Sequence, residues 1–231
     1  AMNDVSLGKS SPEKVKDEVR RASKQEMDMA TFTILTTISK SKKPITLIDL
    51  PADHPLIQEF NSTQLDDAVI ALEPLDNITF AELIEKERAF LQKDASLDQE
   101  REAYMLSQLP IAISELLDRN PALKGKDKLI VLLLLGATHT AVFHSLQKDG
   151  RKATRAFSTL PFFYPFYDEA LRRYQFNKGV DDTLIARVWF AGFTGFAFRD
   201  LNITENSNKL NKFKRIVISQ FSFDEIKSIF D

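Results

Sequence analysis

The apolar and polar positions alternate in blocks that predict most of the elements. Residues 11–41, SPEKVKDEVRRASKQEMDMATFTILTTISKS, begin charged and turn apolar from Met27. Ser11 is placed to cap a helix whose first residue is Pro12, the position that proline favours. The stretch predicts one long helix or two in succession, stopped by Pro44. Ile45 to Leu50 is short, β-branched and largely apolar, and predicts a buried parallel strand. Asp49 lies at its end, followed by Pro51, Asp53 and His54.

The next block changes character. Residues 55–100 carry eleven acidic side chains against three basic ones and predict helices. Thr79-Phe80-Ala81-Glu82 is a capping-box pattern, and Ser96-Leu97-Asp98-Gln99 is another. After the second, Met105, Leu109, Ala112 and Leu116 recur at helical spacing. Pro110 falls inside that run and predicts a kink or a break. Leu129 to Leu135, LIVLLLL, is the longest apolar run and predicts a second buried strand. GATHTAVFHSLQKDG follows as a turn and a helix, with Gly150 at a helix end.

Beyond Gly150 aromatic residues crowd. FSTLPFFYPFYDEALRRYQF predicts a proline-broken stretch and then a helix from about Pro165. Asp181 or Asp182 can cap the next helix, TLIARVWFAGFTGFAF, and a polar loop, NITENSNK, follows. RIVIS, residues 215–219, predicts a strand, and Ser222-Phe223-Asp224-Glu225 opens a last helix with a capping box. Strands alternating with helices predict an α/β layered fold, a small, mostly parallel sheet with flanking helices. Residues 1–231 read as a single α/β domain, with 55–117 as a helical insertion or lid and 1–11 as a loose tail.

Composition then narrows the function. The chain has 231 residues, 43% of them apolar, enough for a real core. A net charge of −2 offers no basic footprint for nucleic acid. There is no cysteine, so disulfides, thiolate metal sites and thiol catalysis are excluded. That fits a cytoplasmic setting, with export after removal of a signal peptide as the alternative. No run reaches the roughly 18 apolar residues that a transmembrane helix needs. The polar start predicts no signal peptide, and Ala1 reads as a cloning remnant before Met2.

The chemistry gathers at predicted strand ends, where open α/β sheets bind ligands. Gly136 allows a sharp turn and close backbone approach. Thr138 and Thr140 stand where the next helix starts, so its free N–H groups and positive dipole end face the same crevice. His139 there can bind a metal, move a proton or hold an anion. It can equally be a structural histidine satisfied by a carbonyl. If the two strands are neighbours, Asp49, Asp53, His54 and His139 converge, and two histidines with a carboxylate suit a divalent metal. The alternative for Asp49 is a turn or capping aspartate before proline. Glu100-Arg101-Glu102, with Tyr104 beside them, offers a guanidinium for a substrate carboxylate or phosphate, or else an ordinary solvated face.

Phe157, Phe162, Phe163, Tyr164, Phe166 and Tyr167 can wall an apolar ligand such as haem, form core, or make a homo-oligomer interface. Trp189, Phe190, Phe193, Phe196 and Phe198 read as core. Ser158 and the other serines lack a nucleophile-elbow setting, and no phosphate-binding loop is present.

Several of these pieces together resemble the TraB/Tiki, ChaN and erythromycin-esterase-like group. They are Ile48-Asp49, Glu100-Arg101-Glu102 with Met105, and Gly136-Ala137-Thr138-His139-Thr140, within roughly residues 25–155. The resemblance implies a hydrolase, in some members metal-dependent, acting on a small molecule or peptide. It implies His139 as metal ligand or general base, Arg101 as anion holder, and Asp49 as orienting group or ligand. His54 would complete the metal set, and Glu102 would join the catalytic residues. Gly136, Thr138, Thr140 and Tyr104 would contact the ligand. The group also includes a haem-uptake lipoprotein, which makes haem the alternative cofactor. The chain departs from the pattern in having no Gly-x-x-His motif before the first strand. A non-catalytic ligand-binding or protein-interaction module is the second reading.

Overall fold

Backbone segments that the sequence presents as helices dominate the chain. The computed structural model describes residues 4–5, 7–23, 29–51, 53–72, 78–136, 138–156, 164–195 and 207–231, with backbone alone at 22–23, 29–31, 64–72 and 207–209. Among the described residues there are nine α-helices and no β-strand. They are α1 (Pro12–Ser23), α2 (Met29–Ser39), α3 (Pro55–Leu72), α4 (Phe80–Arg119), α5 (Thr140–Lys148), α6 (Phe166–Gln175), α7 (Asp182–Phe193), α8 (Ser207–Ile218) and α9 (Phe223–Phe230). None is long and apolar enough to cross a membrane.

Four predicted helix starts hold, at Ser11, Thr79, Asp181 and Ser222, each by the side chain that local chemistry requires. The Lys14 N–H donates to Ser11 Oγ at 3.1 Å. At α4 the Glu82 N–H donates to Thr79 Oγ1 at 3.3 Å, and the Thr79 N–H donates to Glu82 Oε2 at 2.7 Å. The Leu184 N–H donates to Asp181 Oδ1 at 2.8 Å, and Ser222 with Glu225 forms the full capping box of α9. Each satisfies a donor that a helix N-terminus otherwise leaves free. Gly150 follows α5 with φ +76°, the left-handed geometry that suits glycine. Two expected boundaries are absent. Ser96 lies inside α4, and α4 also runs through Pro110.

The α/β layered fold that the alternating pattern predicts is overturned, and with it the small, mostly parallel sheet, since the described residues hold no β-strand. Leu129 to Leu135 has no regular secondary structure and belongs to no ladder among the described residues. Ile130 is 88% exposed, Leu132 80% and Leu134 74%. None of the seven residues makes a main-chain hydrogen bond to another described residue. Ile45 to Leu50 likewise forms no strand, bending at Asp49, and Leu47 is 70% exposed. An apolar run needs a paired neighbour before it becomes a strand, and pattern alone does not supply one. Residues 215–218 are helical, not a strand. In α8 the buried Ile218 stands three residues beyond the half-buried Arg215 and four beyond the half-buried Lys214, a helical rather than alternating pattern.

The chain divides into two compact units. The first comprises Ala1–Asp49 and Met105–Leu132; the second comprises Leu50–Tyr104 and Leu133–Asp231. In the first, Val5, Val15, Leu35 and Ile38 form a small core with Ile45 against it. In the second, Leu83 and Leu91 of α4, Leu171 of α6, Ile185 and Trp189 of α7, Ile218 of α8 and Ile226 of α9 share one core. Burying each such side chain is worth about 2 kcal/mol. Trp189 and Phe190 are core, as their spacing predicts, while Phe193 is 48% exposed and stacks on Trp189 at 5.2 Å. Phe157, Ser158, Phe162, Phe163, Phe196, Phe198 and the polar loop at 202–206 lie outside the described residues.

Candidate functional site

The buried face of α4 carries acids where apolar residues are expected. Its positions 80, 83, 84, 87, 90, 91, 94, 95, 98 and 102 are all buried, a stripe at helical period. Four of them are carboxylates: Glu87, Asp94, Asp98 and Glu102. Taking a carboxylate out of water costs several kcal/mol unless partners replace the lost solvation. For Asp94, Asp98 and Glu102 the partners come from α6 and from the turn before α5.

Asp94 Oδ2 accepts a hydrogen bond from the Tyr167 hydroxyl, while its Oδ1 has no partner among the described residues. Asp98 Oδ2 accepts from Gln175 Nε2 at 3.3 Å. Gln175 is itself held through its carbonyl, which accepts from Gln99 Nε2 at 2.9 Å. Glu102 faces His139, with Oε1 and Nδ1 3.4 Å apart. Their side chains are only 2% and 8% exposed. The contact lies in ion-pair range but is not aligned as a hydrogen bond, so Glu102 Oε1 and Oε2 and His139 Nδ1 are buried without a hydrogen-bond partner among the described residues.

Local sequence places the imidazole. His139 is the residue before α5, and its side chain does not cap that helix. The turn closes through His139 N–H to the Gly136 carbonyl at 3.2 Å and Thr140 N–H to the Thr138 carbonyl at 2.6 Å. A Cβ at exposed Gly136 would stand 3.5 Å from His139 Cδ2 and 3.8 Å from Nε2. One ring edge therefore meets a buried carboxylate, and the other lies beside the exposed turn. Thr140 is buried, and its Oγ1 accepts from Arg172 Nε at 3.3 Å.

Electrostatics follow burial. Desolvation raises the Asp98 carboxyl to about 6; His139 when protonated pulls it down, Asp94 and Glu102 when ionised push it up, and Arg101 pulls it down. Desolvation also raises Asp94, against the Tyr167 hydrogen bond that lowers it. A carboxyl raised to about 6, as Asp98 is, can exchange a proton close to neutral pH.

The other expected site residues are arranged differently. His54 Nδ1 accepts from the Leu56 N–H at 3.2 Å at the start of α3, and its ring lies 5.5 Å from that of Tyr104. The Arg101 guanidinium lies over the Phe60 ring at 5.8 Å. Asp49 is half-buried at a bend in the first unit. Among the described residues no three of His, Asp or Glu group as a metal ion requires. Of the expected metal ligands, His139 faces Glu102 and His54 accepts from the Leu56 N–H.

Pattern reading singled out Glu102, His139, Gly136, Thr138 and Thr140, and missed Asp94, Asp98, Tyr167, Gln175 and Arg172. The signal for the acids was present. Asp94, Asp98 and Glu102 stand at i, i+4 and i+8, on the face that Leu91, Ala95 and Met105 mark as buried. Comparison of the chain with protein families, curated proteins and solved structures gave no match.

Proposed function

We propose that this chain is a hydrolase whose general acid–base centre is the His139–Glu102 pair. The observation that carries the reading is the imidazole caught between a buried carboxylate at Nδ1 and the exposed Gly136 turn at Nε2. With the proton on Nδ1, Glu102 stabilises the ring and leaves Nε2 as the base. Nε2 takes a proton from an attacking water, and the buried Glu102 charge favours the imidazolium that results. The same proton then goes to the leaving group. Asp98, titrating at about 6, sets the charge around the pair. Arg101 adds a positive charge that favours ionised Asp98. The choice of hydrolysis among acid–base reactions is supported by the likeness of Glu100–Met105 and Gly136–Thr140 to the TraB/Tiki, ChaN and erythromycin-esterase-like group.

The test is turnover of a panel of carboxylic and phosphate esters by the full chain. A general acid–base residue contributes at least about 100-fold, so His139→Ala is expected to lose about that much, and Glu102→Gln is expected to lose part of it. Unchanged turnover in His139→Ala, or no turnover of any ester by the parent chain, contradicts the reading.

A further inference from the structure

Beside the acid–base centre, α6 and α8 enclose an open cleft of about 530 Å³. Arg172, Arg173, Lys178 and Arg215 line it, and Glu169 is the one acid among its lining residues. Glu169 is shared between two guanidiniums: Arg173 Nη2 lies 2.7 Å from Oε1, and Arg215 Nη2 pairs with Oε2. Burial raises the Glu169 carboxyl, but the bonds from Arg215 and Arg173 outweigh it and hold the group below its ordinary value. Arg173 and Arg215 also donate to the carbonyls of Gly179 and Tyr164. These contacts fix both guanidiniums in place.

The remaining two cations are less engaged. The Arg172 guanidinium stacks 3.9 Å from the centre of the Tyr164 ring and donates through Nε to Thr140. Its Nη1 and Nη2 donate to no described residue. Asp168 is the acid whose charge acts on Arg172. Lys178 is exposed on the turn after α6 and pairs with no described residue. Counting Asp168 as well as Glu169, the cleft has an excess of about two positive charges, with guanidinium and ammonium donors free to be used.

We infer that this cleft binds a small phosphate-bearing anion, with Arg172 and Lys178 donating to its oxygens and Arg173 and Arg215 supplying fixed positive charge. A multiply charged oxyanion matches the excess charge, whereas a single carboxylate leaves part of it unanswered. The chain's net charge of −2 sets this local excess against an acidic whole and favours a small ligand over a nucleic acid. Arg172 joins the cleft to Thr140, the residue after His139. The inference stands apart from the catalytic reading, since it is tested with a ligand that has no hydrolysable bond.

The experiment is calorimetric titration of the full chain with methylenediphosphonate at low ionic strength. One saturable site per chain is expected, weakening as sodium chloride is added. Loss of one charge-assisted contact corresponds to about tenfold in affinity. Lys178→Gln, at an exposed turn, is expected to lose about that much with an unchanged circular dichroism spectrum, and Arg172→Gln is expected to do the same. Absence of saturable heat in the parent chain, or unchanged affinity in Lys178→Gln with Arg172→Gln also unchanged or unfolded, overturns the inference.

Discussion

Asp98 illustrates how a single residue ties stability to function. Its carboxyl titrates at about 6 rather than 3.8, because burial disfavours its charge. The folded chain therefore keeps a proton that the unfolded chain has released. Stability from this group is full below 3.8 and is lost as pH rises through about 6. At neutral pH the native state holds a charge that it solvates poorly. Asp98→Asn keeps an acceptor for Gln175 and removes that charge. It is expected to raise the unfolding free energy at neutral pH by about 2 kcal/mol and to flatten the pH dependence between 3.8 and about 6. Urea unfolding across that range measures both. A less stable variant with an unaltered slope contradicts the assignment. Stabilisation through loss of an acid at a buried position is what a functional group retained at a cost in stability predicts.

Among the elements, the apolar run Leu129–Leu135 and the helix α4 show what sequence pattern conveys and what it leaves out. The caps at Ser11, Thr79, Asp181 and Ser222 are read from three or four neighbouring residues, and they hold because capping chemistry is local. The strands fail because a strand is defined by a partner, which no local pattern contains. Leu129–Leu135 was read as buried, yet Ile130 and Leu132 are 88% and 80% exposed. An exposed apolar segment with unpaired backbone is a template for association. Ile130→Lys with Leu132→Lys is therefore expected to leave helix content unchanged and to reduce concentration-dependent light scattering. Loss of helix content in that variant would mean that the run is buried. For α4, the buried acids were legible as helical spacing, but their partners Tyr167 and Gln175 lie more than seventy residues away along the chain. No reading of nearby residues reaches them.

At the scale of the whole molecule, both proposed activities lie in the second of the two compact units. Asp94, Asp98 and Glu102 of α4 meet α6 and the turn before α5, and the cationic cleft lies on α6 and α8. Arg172 links the two through its bond to Thr140. This arrangement places negative charge inside and positive charge at an open surface within one helical body. A ligand anion in the cleft and a base at His139 then use neighbouring parts of it. The central claim is that Glu102 orients the His139 imidazole and leaves Nε2 as the base. The most direct test is the side-chain nitrogen NMR spectrum of His139 in the parent chain and in Glu102→Leu, which fills the same space without an acceptor. The account predicts a neutral ring with its proton on Nδ1 in the parent chain, moving to Nε2 in the variant. A parent ring already protonated on Nε2 and unchanged by Glu102→Leu would contradict it.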